Sequence, residues 1–450
     1  MEPFDITIIG GGQAGVAAAM RAANQGARTC LIQENRLGGN GLQSGFACLR
    51  RILNLPEFSK NTSSPNSIEI GKLSTQVEEA EQELAQHLGN TLKGKKVTIL
   101  QGTGVLVDET HVSVESAQGG ETVQAKSIIL APGANPIALP TLPFDGLDII
   151  PGDDLLQLPA VPDQVMVAGG SAAACEIASL LNRLGSKVFL CSEDARLFPD
   201  NDRETGDTLE KAFKTKKIKL LLGKKPASFF KNNGKIDVTL EGGVKFSVNS
   251  IVWAGKTRKA RTEALGAAES RIQLGGQGEV LVNEKMGTSL PGVYAIGGVT
   301  GRGPSPALAD EEAKVAVGNA LGKSRTLERH KTPLIVYSEP ELASVGCSAD
   351  TAHYQGYRAV EGCCPADQLG LPPTDVGGPE IYKIVVEKSS KKVIGGHILS
   401  PRASEIIAPV LLAVKKGLTA ADLAGLPHGT GSQGIREAAR SAVLALKIGR

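Results

Sequence analysis

The chain has 450 residues, 41% of them hydrophobic and 21% charged, and a formal net charge of +2. That length suits about three domains at ~150 residues each, and the near-neutral balance offers nothing to nucleic acid or an anionic membrane. No apolar run approaches the ~20 residues needed to span a bilayer, and the opening Met1-Glu2-Pro3-Phe4-Asp5 lacks the basic start of a secretion signal, so a cytoplasmic protein is expected.

Residues 5–9 (Asp-Ile-Thr-Ile-Ile) predict a buried strand. A Gly-rich turn follows, then an Ala-rich helix to about Asn24 and a second strand over 28–34: a βαβ unit. Residues 57–68, rich in Ser, Asn and Pro, predict a loop, and 73–88 a helix with a charged face. Short β segments are expected at 97–101, 105–108, 111–116, 122–125 and 127–130, and Leu130–Pro136 closes this region. A second strand, Gly turn, helix and strand run through 164–191, with Val165–Ala168 as the strand, Gly169-Gly170-Ser171 as the turn and a helix to about Leu184. After a basic linker near 323–332, residues 333–450 read as an α+β layer. Its strands are expected near 334–337, 381–387 and 392–399, and its helices near 403–416, 419–424 and 432–447.

The first turn carries Gly10-x-Gly12-x-x-Gly15, with Glu34 at the end of the next strand. Gly10 makes the turn, Gly12 lets backbone approach a pyrophosphate, and Gly15 lets helix and strand pack closely. The helix N-terminus holds the phosphates, and Glu34 accepts hydrogen bonds from a ribose. A non-binding crossover is the plainer alternative, but the strand, helix and acid in register favour a dinucleotide. The second turn is weaker: Gly169 is followed by Ser171 and Ala174 at the other two fingerprint positions. Ser192 stands at the acid position, with Glu193 and Asp194 next and Arg196 nearby. Ser171 narrows the space for a pyrophosphate, so this half either binds NAD(H) weakly or is a retained scaffold. Its candidate residues are Gly169, Ser171, Ala174, Glu193 and Gly255.

The seven cysteines are scattered and none forms a C-x-x-C pair, which argues for a reducing compartment and against a disulfide framework. Vicinal Cys363-Cys364 reads as two strand-end residues on opposite faces rather than a redox pair. The six histidines show no metal-ligand spacing.

Taken together, the stretches Ile8–Gly15, Leu37-Gly38-Gly39, Gln101–Gly104, Ala131-Pro132-Gly133, Gly292–Gly297, Pro306–Ala309, Ile335–Glu341 and Pro427–Glu437 make nearly the whole chain similar to dihydrolipoamide dehydrogenases and related pyridine-nucleotide disulfide oxidoreductases. The resemblance implies an α/β fold with two Rossmann-like, doubly wound domains plus a C-terminal α+β dimerisation domain. The expected boundaries are an FAD domain over 1–143, an NAD(P)-binding-like domain over 144–269, a return to the FAD domain over 270–328 and the interface domain over 329–450, in a homodimer. It implies FAD contacts at Gly10, Gly12, Gly15, Glu34, Gly39, Asn40, Gly104, Ala131, Gly133, Gly297, Gly298 and Ala309, with the helix near Ala307–Ala309 aiming its positive end at the flavin.

The departures carry the information. The family's cysteine pair is replaced by Gly41 and Phe46, and the Lys that follows it by Arg50; Cys48 is a lone thiol nearby. Disulfide exchange needs two thiols. The C-terminal His survives as His428, but Gln433 stands where a Glu would raise its basicity. The acid expected for the flavin's ribityl chain is Gly298, a loss worth ~1 kcal/mol for one hydrogen bond. The expectation is an FAD-dependent oxidoreductase taking electrons from NAD(P)H to a non-disulfide acceptor such as a quinone. Arg50 and Phe46 are expected beside the flavin, and His428 with Gln433 across the dimer. The alternative is a non-catalytic FAD-binding pseudoenzyme with a structural or regulatory role.

Overall fold

The structure is a computed structural model and describes residues 2–39, 70–117, 119–255, 258–262, 266, 271–303, 305–369, 379–427 and 432–448. The expected loop at 57–68, Asn40, Gly41, Phe46, Cys48, Arg50 and His428 lie outside the described residues. The chain divides into two compact units. One holds the described residues of 1–61, 69–137 and 257–328; the other holds those of 138–256 and 329–450.

In the first unit, β1 (Phe4–Ile9) leads through the Gly turn to α1 (Gln13–Asn24) and β2 (Thr29–Gln33). Both strands bury alternate residues on opposite faces. Ile6, Ile8 and Leu31 enter one core with Ala18, Ala19 and Ala22 of α1; Ile9, Cys30 and Ile32 enter the other. A sheet covered on both faces explains why β1 and β2 are buried along nearly their whole length. The next helix, α2 (Ile70–Gly94), is longer than the expected 73–88. Gly89 does not stop it, because Leu73, Val77 and Leu92 continue one buried stripe past it. Then come β3 (Thr98–Gln101), β4 (Thr103–Leu106), β5 (His111–Ser116), β6 (Gly119–Leu130) and β7 (Ala134–Pro136). The two strands expected over 122–130 are one, which changes partner midway: its first half pairs antiparallel with β5, its second half parallel with β1. The sheet order is β3-β2-β1-β6-β5-β4.

The second unit begins with β8 (Ile149–Pro151), β9 (Gln164–Ala168), α3 (Ala172–Arg183), β10 (Lys187–Ser192), α4 (Arg203–Thr215) and β11 (Lys219–Leu222). An antiparallel sheet of β12 (Pro226–Asn232), β13 (Lys235–Leu240) and β14 (Lys245–Val248) precedes β15 (Ser250–Trp253). The parallel sheet runs β11-β10-β9-β15-β8, so the strand order reverses between β9 and β15. Ligands of such sheets bind outside the carboxyl ends of the strands at this reversal.

The chain re-enters the first unit through β16 (Arg258–Ala260), paired with β7, and β17 (Val293–Ala295), which extends the first sheet beside β6. Helix α5 (Pro306–Ala320) follows, with Ser305 as its cap and Pro306 in its first turn. Its Ala313 and Ala316 share a core with the Ala stripe of α1, where small side chains allow close approach.

Residues 329–450 return to the second unit as an antiparallel sheet in the order β18 (Leu334–Val336), β19 (Glu341–Gly346), β22 (Val393–Ser400), β21 (Ile381–Glu387), β20 (Ala359–Pro365). β19 was not expected from sequence, and β20 was expected only at its Cys363-Cys364 end. The helix expected at 403–416 is two, α6 (Ala403–Ile406) and α7 (Ala408–Lys416), divided just before Pro409. Short α8 (Ala420–Ala424) and long α9 (Gln433–Ile448) complete the layer. Cys363 and Cys364 sit on β20 with only Cys364 fully buried, and burial pushes both thiols up to about 11.

Candidate functional site

At the first crossover each glycine has a separate task. Gly10 has φ +112°, and a Cβ there would lie 2.2 Å from the Ala131 carbonyl oxygen. A Cβ on Gly15 would lie 1.8 Å from the Gly10 oxygen, so helix and turn touch at this point. Gly12 differs: nothing lies within 4 Å of its Cβ position, and as the N-cap of α1 it leaves the first-turn amides without a side-chain cap. Donor groups with open space before them make a site for a phosphate. Gly38 donates its N–H to the Gly11 oxygen at 2.9 Å, and Gly39 seats against Gly12. Gly133, φ +85°, also faces open space.

Glu34 is exposed one residue beyond β2, and its carboxylate is paired with Arg261. Arg261 is held there because its N–H donates to the Gly133 oxygen at 3.1 Å, beside the β7–β16 pairing. An exposed pair of this kind is worth about 0–1 kcal/mol and leaves the carboxylate available to a competing hydroxyl. A Cβ on Gly104 would meet Ile9 Cγ2 at 2.9 Å, so core packing also requires a glycine there. Ala131 is buried, and its N–H donates to the Ile9 oxygen at 2.8 Å. Ala309 is buried in the first turn of α5.

Gly297, φ +72°, and Gly298 follow β17 and come back to the same place. A Cβ on Gly297 would lie 2.9 Å from Ala14 Cβ, and one on Gly298 would lie 3.1 Å from the Ala134 nitrogen. The turn therefore fits between the start of α1 and the Gly133–Ala134 segment. The Gly297 N–H donates to Glu312 Oε2 at 2.6 Å. Glu312 is 1% exposed and faces Arg302 at 3.4 Å. The sequence reading missed both residues.

The second crossover repeats the backbone path with different chemistry. Gly169, φ +142°, packs against the Ala254 carbonyl, where a Cβ would lie 2.4 Å from the oxygen. Ser171 caps α3: its Oγ accepts from the Ala174 N–H at 3.2 Å and donates to the Ala254 oxygen at 2.8 Å. An amide left uncapped in the first crossover is here satisfied by the protein itself. Ala174 is fully buried. The Trp253 indole lies along Gly255, whose Cβ would fall 2.2 Å from Cζ2, and Trp253 Nε1 is buried without a hydrogen-bond partner.

Glu193 pairs with Lys225 at 3.1 Å, and the hydrogen bond to Glu193 raises the Lys225 pKa. Lys225 lies beyond β11, far along the chain from Glu193, and was not anticipated. Arg196 is occupied by the Pro199 and Asn201 carbonyls.

Of the proton-relay candidates, Gln433 alone is described. It opens α9, and its amide Nε2 donates to the Leu369 oxygen at 3.0 Å. Elsewhere in the second unit, Lys383 is buried among Asp202 at 2.8 Å, Glu361 at 3.1 Å and Glu204 at 3.1 Å, with His397 fully buried nearby. No group able to hold a metal ion occurs among the described residues, and no described helix is long and apolar enough to cross a membrane.

Comparison with known proteins agrees with this geometry. The family described as pyridine nucleotide-disulphide oxidoreductase matches residues 4–319, and its dimerisation domain matches residues 332–438. A dihydrolipoyl dehydrogenase from Thermus scotoductus is 31% identical over 98% of this chain and 98% of its own length. The crystal structure of LpdA from Mycobacterium tuberculosis covers 97% of this chain and 98% of its own, with a TM-score of 0.84 and 25% identity. An HOCl-induced flavoprotein disulfide reductase from Escherichia coli, RclA, has a TM-score of 0.82 at 20% identity over 97% of this chain and 99% of its own, and speaks to the fold alone.

Proposed function

The chain belongs to the pyridine nucleotide-disulphide oxidoreductase family, and from that membership we propose a flavoenzyme that passes electrons to a small non-disulfide acceptor such as a quinone. The family binds FAD and uses a nicotinamide dinucleotide. The first crossover fits FAD: the space before Gly12, the uncapped amides of α1 and the exposed Glu34 carboxylate are what a pyrophosphate and a ribose require. When bound, FAD supplies the two-electron relay between NAD(P)H and the acceptor. Gly10, Gly12, Gly15, Gly39 and Glu34 hold its ADP half in this reading, with Gly133, Gly297 and Gly298 lining the far side.

One observation carries the choice of acceptor: Gly41 and Phe46 stand where the family's two thiols are expected. Without a pair of sulfurs there is no dithiol to exchange with a disulfide substrate. The match of the family's dimerisation domain to residues 332–438 supports a homodimer through this C-terminal region. Anaerobic titration with dithionite tests the proposal. The oxidised flavin band should bleach from the first equivalent with no long-wavelength charge-transfer band, and lipoamide should not turn over. A charge-transfer band, or lipoamide turnover lost in Cys48→Ser, would overturn it.

A second reading, a flavin-binding protein without turnover, draws support from Ser171, whose hydroxyl occupies the amide that a dinucleotide phosphate would use. NADH that fails to reduce the flavin anaerobically, while dithionite succeeds, would favour that reading.

A further inference from the structure

A buried charge at the flavin cradle has no part in the reading above. Glu312 lies on α5 among the buried Leu308, Ala309, Ala313, Val315 and Ala316, and is 1% exposed. Burying a carboxylate is costly unless it is paired and hydrogen-bonded. Glu312 has both kinds of partner: the Gly297 N–H at 2.6 Å and Arg302 Nη1 at 3.4 Å. Arg302 is itself mostly covered, its side chain 22% exposed, and also touches Met286 Sδ at 3.4 Å. The carboxylate thus reaches the Gly297–Gly298 turn, which fits between the first turn of α1 and Gly133–Ala134. Gly298 offers that turn no side chain.

We propose that Glu312 and Arg302 form a buried ion pair that positions the Gly297–Gly298 turn against FAD, and that the balance of its two charges keeps the bound flavin from being shifted to a higher or lower reduction potential. The inference rests on the reading that FAD occupies the first crossover. Two-electron reduction at neutral pH adds two electrons and one proton to the cofactor, a net gain of one negative charge. A neighbouring carboxylate opposes that gain and a guanidinium favours it. The pair holds the turn by one charge-assisted hydrogen bond while its opposite charges largely offset each other at the flavin. Glu312 and Arg302 are positioning residues and touch no reacting atom.

The two halves of the pair predict shifts of opposite sign. Glu312→Gln keeps an oxygen for the Gly297 N–H and removes the negative charge. It should raise the midpoint potential of the bound flavin, measured by equilibration with a reference dye, by at least a tenfold change in the reduced-to-oxidised ratio, about 30 mV for a two-electron couple. Arg302→Gln removes the positive charge of the pair and should lower the potential by a similar factor. Glu312→Ala, which also removes the acceptor, should weaken FAD binding at least tenfold, read as flavin retained after dialysis. If Glu312→Ala does not fold, the two Gln variants decide alone. Shifts of the same sign, or none, overturn the proposal. A wild-type chain that takes up no FAD overturns the functional reading and this inference with it.

Discussion

Ser171→Gly should tighten nicotinamide dinucleotide binding at the second crossover while costing the free protein some stability. Ser171 Oγ makes two hydrogen bonds, accepting from the Ala174 N–H at 3.2 Å and donating to the Ala254 oxygen at 2.8 Å. Exchanging a Ser cap for Gly costs a few tenths of a kcal/mol. Losing the bond to Ala254 costs about 1 kcal/mol more. In return the Ala174 amide is freed, at the turn that faces the crevice between β9 and β15. A backbone N–H bonded to a charged phosphate is worth about 1.5–3 kcal/mol. After competition from water, a gain of about 1.4 kcal/mol, tenfold in Kd, is expected. The chain's single Trp supplies the assay. Trp253 ends β15 at the same crevice, so bound NADH, which absorbs where tryptophan emits, should quench its fluorescence in titrations of the FAD-loaded protein. A Kd unchanged or weaker in Ser171→Gly would refute the reasoning and make the hydroxyl a ligand contact. No quenching in either protein would mean that the second crossover is a scaffold.

Three further outcomes are expected. Gln433→Glu should destabilise the C-terminal layer by about 1–3 kcal/mol, because a carboxylate would face the Leu369 oxygen that the amide now bonds; an unchanged urea midpoint would contradict this. His397 has its pKa lowered, first by burial and also by Lys383, against the opposing effects of Asp202 and the Cys347 carbonyl. The unfolded chain therefore takes up a proton below about pH 6.5 that the folded chain resists, so stability should fall as pH drops through that range. His397→Gln should flatten the slope of denaturation midpoint between pH 7 and 5, and an equally steep slope would rule His397 out. Lys383→Met should cost about 3–5 kcal/mol by leaving buried Asp202 without its cation. Adding Asp202→Asn, which keeps the α4 cap on Thr205, should recover most of the loss; a double variant no more stable than the single would place the damage elsewhere.

What was legible in the sequence follows the range of the interactions involved. Both crossovers are written in contiguous residues, since a turn glycine, a helix cap and a strand of apolar residues act within one or two helical turns of chain. Gly10, Gly15 and Gly169 accordingly stand where close backbone contacts demand glycine, and Gly104 stands where packing against Ile9 does. Ser171 was recognised as an intrusion, but its double bond to Ala174 and Ala254 was not, because Ala254 arrives from a strand far along the chain. Arg261, Lys225 and Arg302 escaped notice for the same reason: each meets its acid through strand pairing or a loop return that no local pattern announces. β19 was missed, and β20 foreseen only at its Cys363-Cys364 end, because Glu341–Gly346 and Ala359–Pro365 lack polar–apolar alternation and are strands only through their neighbours. Glu312 is the exception, since a local signal existed: one acid among the apolar residues on the inner face of an otherwise ordinary helix. A charge in that position needs a partner on the element it packs against, and here the element is the turn where a carboxylate was expected and only Gly298 was found.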